Sequence, residues 1–247
     1  MPKVTLVEPQ KKNLKRFNIF LDGIFAFGAD EDTVVTFRLI PGKIIDEELL
    51  SKILFETETG KLMENMYRLF NIRQRSEKEV RDYLKNLSFK RKVKDQEEIS
   101  SLVIENLINR LKQKQMLDDE IFARSWIQSR RKSKSKGKVA LKSELMQKGI
   151  NKEIIDELMT QTVDEDEQKL ARRTLEKKLK IWKNLPVLDF KRKAIQFLLR
   201  KGFEYTIVVD VIEKILQKGY NNIGESLSWV RLWKIKFLQI LTLNFPR

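Results

Sequence analysis

The chain has 247 residues with a formal net charge of +15, and its composition of many Lys, Glu, Leu and Ile with five prolines and nine glycines favours helices over a β-sandwich or barrel. Without cysteine or histidine it has no disulfides, no thiolate ligands and neither the usual base nor the commonest zinc ligand, so we expect no cofactor and no metal. The charge predicts a polyanionic partner: nucleic acid, an acidic protein surface or anionic lipid.

The first sixty residues differ from the rest in charge and in hydrophobic pattern. They carry a net charge of −2, so the remainder carries +17. Phe17, Ile19 and Leu21 recur at every second position, and an Asp-Gly pair at 22–23 is typical of a two-residue hairpin turn. We therefore predict a small β-hairpin or three-stranded sheet within a module that covers 1–60.

Two short helices are expected to complete this module, beginning near Asp30 and Asp46. A sheet this small cannot bury its own apolar side chains, of which Phe25 is an example. We therefore predict that the module docks on the first helical repeat, near Met66 and Phe70.

A helical segment occurs twice in the rest of the chain, with an offset of 53 positions. Lys-Gly-Ile at 148–150 recurs as Lys-Gly-Phe at 201–203, each followed by apolar residues at helical spacing. A repeat of this size cannot bury its apolar face alone, so its copies must stack. The helix signals predict a mainly α fold of three tandem three-helix repeats, over 61–117, 118–163 and 164–217, which form an elongated curved array.

Start signals and caps give the repeats finer structure. Ser76 with Glu79 forms a predicted capping box, Asp95 is expected to start a third helix, and Asp118 or Asp119 is expected to cap the next one. Gly149 and Gly202 should end helices with positive φ, and Asn151 should cap the helix that follows Gly149. The side chains predicted to face the core are Leu145, Ile154, Leu158, Leu198, Val208 and Ile212.

A set of short motifs in a fixed order adds a resemblance to this pattern. The motifs are Arg75, Ser76 and Glu79 at a helix start, Leu117-Asp118-Asp119 followed by Phe122 and Ala123, the Lys136-Gly137 loop, Leu145 with Lys148-Gly149-Ile150, and the hairpin stretch 18–28. Together they resemble the RecX family, regulators of the RecA recombinase, over about residues 3–216. The resemblance implies an array in the groove of the RecA–DNA filament, which contacts protomers and DNA and reduces filament growth, ATP hydrolysis and strand exchange.

Ten residues from Ser129 to Lys138 hold six basic side chains and no acid. We predict an interhelical loop, marked by Gly137, that crosses a phosphate backbone and reads charge rather than base sequence; a merely solvated loop is the alternative. The full set of predicted nucleic-acid or filament contacts is Arg124, Arg130, Arg131, Lys132, Lys134, Lys136, Lys138, Lys142, Lys148, Arg200 and Lys201.

Three neighbouring carboxylates at 118–120 could in principle hold a divalent metal for phosphodiester chemistry. Consecutive residues on a helix point in different directions, so we predict a helix cap instead.

The tail at 218–247 has tryptophans and basic residues at helical spacing. An extra helix that covers the end of the array is predicted there, with an interfacial membrane helix, a partner-binding segment or an unstructured appendage as alternatives.

These features predict a non-enzymatic protein whose partners are the RecA filament and single- or double-stranded DNA without sequence specificity. We expect a monomer located in the cytoplasm, because the N-terminus lacks an apolar signal-peptide core and no 18-residue uncharged stretch occurs. The alternative is a sequence-independent DNA-binding protein that acts without a recombinase. A metal-dependent nuclease is disfavoured.

Overall fold

The structure is a computed structural model that describes residues 1–11, 13–161, 164–182 and 185–219. The strands are β1 (Val4–Gln10), β2 (Asn13–Leu21) and β3 (Ile24–Asp30). The helices are α1 (Glu31–Thr36), α2 (Glu47–Ile72), α3 (Glu77–Lys92), α4 (Ser101–Gln113), α5 (Asp119–Lys134), α6 (Lys138–Gln147), α7 (Lys152–Thr160), α8 (Asp164–Trp182), α9 (Val187–Lys201) and α10 (Tyr205–Gly219). The predicted mainly α fold class with an N-terminal sheet is confirmed.

The described residues divide into two compact units. The first holds 1–130 together with 142–161, and the second holds 131–141 together with the described residues from 164 onward. Helices α5 and α6 each have residues in both units. The predicted tail beyond residue 219 lies outside the described residues. In the part of the chain that the structure describes, no helix is both long and apolar enough to cross a membrane.

The N-terminal sheet is antiparallel with β2 in the centre. The predicted two-residue turn joins β2 to β3, and both Asp22 and Gly23 have positive φ there, at 46° and 84°. The sheet packs on the first half of α2, where Ile53 is fully buried with Ile19 of β2. The sheet therefore docks on a helix, on the first half of α2.

The position of this docking differs from the prediction. Met66 belongs to the core formed by α2, α3 and α4, and Phe70 packs against that same core. Phe25, which was expected to be buried, is 55% exposed because it lies on the outer face of the sheet, edge-on to Phe20 with ring centroids 5.9 Å apart. Pleating sends successive side chains to opposite faces, so only one face of the sheet can be covered by α2.

Helix α2 is longer than predicted. Two separate helices were expected, but one helix of 26 residues runs from Glu47 to Ile72. Gly60 lies inside it and does not break it, because a single glycine costs a helix only about 1 kcal/mol. The glycine also allows a close approach, since a Cβ there would collide with the carboxylate of Asp30, which caps α1.

Other helix boundaries show which start signals were correct. Ser76 and Asn151 cap α3 and α7 as their spacing predicts. Asp95 does not start a helix: it has φ of 54° in the turn after α3, and Ser100 caps α4 instead.

The basic run at 129–138 was predicted to be a loop but is mostly helical, because α5 continues to Lys134 and α6 begins at Lys138. Arg and Lys are good helix formers, so charge alone does not break the helix.

The core prediction is correct at Leu145, Leu158, Leu198, Val208 and Ile212, all of which are buried. Ile154 is only half-buried, because the neighbouring Ile155 faces the core in its place.

A junction between consecutive repeats recurs in each unit. In the first unit the Ser76 hydroxyl, at the start of α3, donates to the Lys148 carbonyl at 2.8 Å, just before the left-handed Gly149. In the second unit the Gly137 N–H, at the start of α6, donates to the Lys201 carbonyl at 2.9 Å, just before the left-handed Gly202. Donors at one helix start therefore satisfy carbonyls that the end of another helix leaves unpaired.

A carboxylate completes each junction. Asp119, the first residue of α5, accepts the Glu77 N–H at 2.9 Å, and Glu167 in the first turn of α8 accepts the Lys138 N–H at 2.7 Å. Burial raises the pKa of both carboxyls, although the amide hydrogen bond opposes the increase. In each unit, an acid in the first turn of a helix thus accepts an amide N–H from the start of a helix in the preceding repeat, and this contact joins the two repeats.

Replacing Gly202 with alanine should destabilise the protein by more than about 2 kcal/mol, because φ is 83° and a Cβ would collide with the backbone of Ala140. Gly23→Ala is the matched control: its φ is 84° but nothing lies within 4 Å of the added carbon, so about 1 kcal/mol of strain is expected. Urea unfolding measures both variants. Equal losses would show that the close approach at the junction contributes nothing.

Leu158→Ala should cost about 2–5 kcal/mol of unfolding free energy, because the side chain is only 5% exposed and truncation leaves a cavity. Leu102→Ala, at a helical position that is 72% exposed, should stay within about 0.5 kcal/mol of the parent. A change at Leu158 as small as that at Leu102 would contradict the packing described for α7.

Candidate polyanion-binding surface

Several predicted contact residues of the first unit are held by acids. Arg124 pairs with Glu120 at 2.7 Å on the surface of α5. Lys142 pairs with Asp156 at 2.9 Å and thereby links α6 to α7. Each of these cations has a carboxylate at hydrogen-bonding distance, so its charge is largely balanced within the protein.

Arg130 and Lys148 belong to a network around Trp126. The Arg130 guanidinium lies 4.1 Å from the centroid of the indole ring and the Lys148 ammonium lies 5.0 Å from it. The indole N–H donates to Glu144 at 3.0 Å, and Arg130 pairs with the same carboxylate at 2.9 Å. These two cations therefore hold the second repeat together, a role that the sequence did not predict for them.

Lys148 also reaches the first repeat. Its ammonium donates to Glu79 at 2.5 Å, and Arg73 approaches the same carboxylate at 2.8 Å. Partial burial alone would raise the pKa of Glu79, but the hydrogen bonds from the two cations outweigh it and lower the pKa to about 2. Glu79 therefore does not reach back to the Ser76 amide as a capping box requires, and it binds cations instead.

In the second unit Arg131 is bound in the same way. Its guanidinium donates at 2.6 Å to Glu167, whose side chain is fully buried and accepts the Lys138 amide as well. A buried acid without this partner would be an uncompensated charge. Arg131 is thus an internal counter-ion of the junction.

Four lysines of the second unit lie close enough to Lys201 for their charges to act on it. Lys134 ends α5, Lys136 lies between α5 and α6, Lys177 and Lys178 lie on α8, and Lys201 ends α9. Partial burial is the main effect that lowers the pKa of Lys201, and the positive charges of the other four lower it further. We call these five residues the lysine cluster.

The lysine cluster has an aromatic base. The ammonium groups of Lys178 and Lys201 lie 5.7 and 5.9 Å from the ring centroid of Phe197, which contacts Trp182 edge-on at 5.7 Å. Lys201 also donates to the Lys134 carbonyl at 3.0 Å. These contacts hold two of the ammonium groups in place before any ligand arrives.

Lys177 and Lys178 are absent from the sequence-based set of contact residues. They lie in a charged helix whose first turn is acidic, and the basic run at 129–138 is denser than the lysines around them. Helical spacing within α8 could only have shown that they are near each other; the approach of Lys201 depends on how α8 packs with α9. Lys132 and Arg200 from the predicted set are exposed, and Arg200 donates to the Gln196 carbonyl at 3.3 Å.

The acids at 118–120 act as the cap that the spacing predicts. Asp118 accepts the N–H groups of Glu120 and Ile121 at 2.8 and 2.9 Å, while Asp119 turns to the Glu77 amide. Among the described residues, no group of three or more acidic side chains is arranged to hold a metal ion.

The fold and this surface define a class: tandem three-helix repeat proteins with a basic face. Family profiles match the chain as the N-terminal domain of regulatory protein RecX over residues 2–46, the second RecX three-helix domain over 118–159 and the third over 164–212. The chain belongs to the RecX family.

Individual relatives agree with this assignment. Regulatory protein RecX of Bacillus subtilis is 35% identical over 87% of this chain and 78% of its own length, and that of Bacillus licheniformis is 36% identical over 90% and 80%. A crystal structure of regulatory protein RecX superposes with a TM-score of 0.69 at 27% identity, covering 87% of this chain and all of that one.

The ion pairs of Glu79 with Arg73 and Lys148 predict that the unfolding free energy depends on pH. The folded pKa of Glu79 lies below the unfolded value of about 4.3, so its contribution to stability is present above that value and is lost as the pH falls toward 2. Glu79→Gln should therefore lower the unfolding free energy by about 1–3 kcal/mol at pH 7 and by much less at pH 2.

Glu48→Gln removes the same charge from an exposed pair with Lys52 and should change stability by less than about 0.5 kcal/mol at either pH. Thermal unfolding across pH 2–7 measures both variants. A Glu79→Gln loss that is the same at pH 2 as at pH 7 would contradict the pairing described.

Proposed function

We propose that this protein binds the RecA–DNA filament and modulates its ATPase, its growth and strand exchange. The observation that carries the proposal is the lysine cluster, in which the positive charges of four lysines act on Lys201, whereas Lys142 and Lys148 each pair with an acid. Membership of a family of regulatory proteins named RecX supports the choice of partner.

The mechanism is binding rather than catalysis. The sequence contains no Walker-type glycine-rich phosphate loop, so any effect on ATP turnover acts through the filament. A filament presents phosphates at regular intervals along its axis, and a basic surface is attracted to them without reading base sequence. We expect a cytoplasmic monomer that acts in DNA repair, recombination and the SOS response.

The second candidate is a sequence-independent DNA-binding protein that acts without a recombinase. The same lysine cluster favours it, because phosphate contacts supply most of the affinity in non-specific DNA binding. The two functions differ in stoichiometry. A protein that stops filament growth acts at few sites per filament, whereas a protein that competes for DNA must cover it.

The test is the ATPase rate of RecA on single-stranded DNA with this protein added in increasing amounts. Inhibition or stimulation well below one copy per RecA protomer supports the filament function. Inhibition that begins only when the DNA is coated would support the second candidate, and no effect at any ratio would contradict the proposal. Incubation of labelled DNA with the protein and Mg²⁺ serves as the control for cleavage.

A further inference from the structure

The end of α3 carries an apolar surface that the core does not use. Phe89 is 65% exposed and Val93, which keeps a right-handed helical backbone at the C-cap, is 68% exposed. The two residues are four positions apart and are therefore neighbours on one face of the helix. Another face of α3 packs into the core through Val80 and Leu84. Neighbouring large apolar side chains that remain in water are typical of a binding surface.

Three cations surround these two side chains. Lys85 lies one turn before Phe89 on the same face, and Lys90 and Lys94 directly follow Phe89 and Val93 in the chain. All three lysines are exposed, and none of them has an ion pair or a side-chain hydrogen bond with another residue that the structure describes. We call these five residues the α3 patch.

The other two cations at this end of α3 are matched with acids. Arg91 donates to Glu58 of α2 at 2.5 Å, and Lys92 donates to Glu98 at 2.6 Å. Positive charge near a helix C-terminus is favourable with the helix dipole, which accounts for lysines in the last turn. It does not account for an exposed aromatic ring among them. The α3 patch therefore points to a ligand.

The chemistry of the α3 patch indicates which ligand. An acidic protein surface would match the lysines but does not need the ring, and an apolar protein surface would match the ring but not the lysines. A nucleic-acid strand offers both, because each phosphate charge is accompanied by a base with a π-face. In a duplex the bases stack on one another, so a protein ring can stack on them only in a single strand.

We propose that the α3 patch binds single-stranded nucleic acid, with one base stacked on Phe89 and with Lys85 and Lys90 in contact with neighbouring phosphates. This inference rests on the proposed function, for which it names a contact of the first unit with the DNA strand. Every base can stack on an aromatic ring, so the contact requires no particular base sequence.

The test uses the full chain without RecA and a fluorescein-labelled oligothymidylate of 15 nucleotides, with binding followed by anisotropy. Phe89→Leu should bind at least about fivefold more weakly, because it keeps an apolar side chain but loses the ring on which a base stacks. Phe89→Tyr keeps the ring and should bind within about twofold of the parent chain. Neither variant should change the slope of log K against log salt, because no charge is removed.

The matched control for the ring is Phe25→Leu, which makes the same change at a side chain that is 55% exposed on the N-terminal sheet. Its binding should stay within about twofold of the parent chain. Parent-like binding by Phe89→Leu, or an equal loss in Phe25→Leu, would overturn the proposal.

An abasic oligonucleotide of the same length tests whether the ring contacts a base. The parent chain should bind it more weakly than oligothymidylate, and Phe89→Leu should cause no further loss on it, because there is no base to stack. An equal loss on both strands would overturn base stacking.

The lysines are tested by Lys85→Gln with Lys90→Gln. This variant should flatten the plot of log K against log salt by about 1.4, which is about 0.7 for each lost phosphate contact on a single strand. The matched control is Lys52→Gln with Lys214→Gln, two lysines that pair with Glu48 at 2.6 Å and Asp210 at 2.8 Å. Equal flattening in both double variants would overturn the phosphate contacts, because net charge alone would then explain binding.

The RecA ATPase assay separates this inference from the proposed function. If the parent chain binds the oligonucleotide through Phe89 but leaves RecA unaffected, the site stands and the proposed partner is wrong. If Phe89→Leu binds the oligonucleotide normally but no longer modulates RecA, the filament function stands, the stacking site is overturned and the α3 patch contacts a protein.

Discussion

The junction between consecutive repeats is the constraint on which the arrangement of these helices depends. A left-handed glycine ends one helix, and the backbone before it meets the start of a helix of the preceding repeat, through Ser76 in the first unit and Gly137 in the second. The contact satisfies carbonyls and amides that helix ends leave unpaired. Because it approaches the backbone so closely, any side chain at Gly202 would separate the two helices.

The junction also determines what the basic residues do. Each junction includes an acid, the half-buried Asp119 in the first unit and the buried Glu167 in the second. Acids at or beside the junctions also bind cations, so Arg131 is held by Glu167 and Lys148 by Glu79. A strongly basic composition therefore overstates the charge that is open to a ligand. In the lysine cluster the positive charges of four lysines act on Lys201, and this uneven distribution of charge is what connects the fold to the proposed function.

The sequence predicted those features that depend on local backbone chemistry. The Asp22-Gly23 turn, the Ser76 and Asn151 caps and the left-handed glycines follow from preferences of single residues, which hold in almost any context. The length of α2 was mispredicted because the change in charge and hydrophobic pattern near residue 60 was taken as a boundary, whereas the helix continues through it.

The candidate site was harder to predict for a related reason. A run of charge along the chain from Arg130 to Lys138 suggested one continuous surface, but a helix sends neighbouring side chains in different directions, so Arg130 and Arg131 meet different acids. Lys177 and Lys178 reach Lys201 only through the packing of α8 with α9. Ion pairs and clusters of this kind depend on tertiary contacts that no local pattern contains.

The most direct test of this division of charge is an NMR titration of the lysine ammonium groups with an oligothymidylate, assigned residue by residue. We expect the signals of the lysine cluster to shift and lose exchange with water as the oligonucleotide binds, while those of Lys142 and Lys148 remain unchanged because their carboxylates hold them. Shifts at Lys142 and Lys148 with none in the lysine cluster would contradict the account.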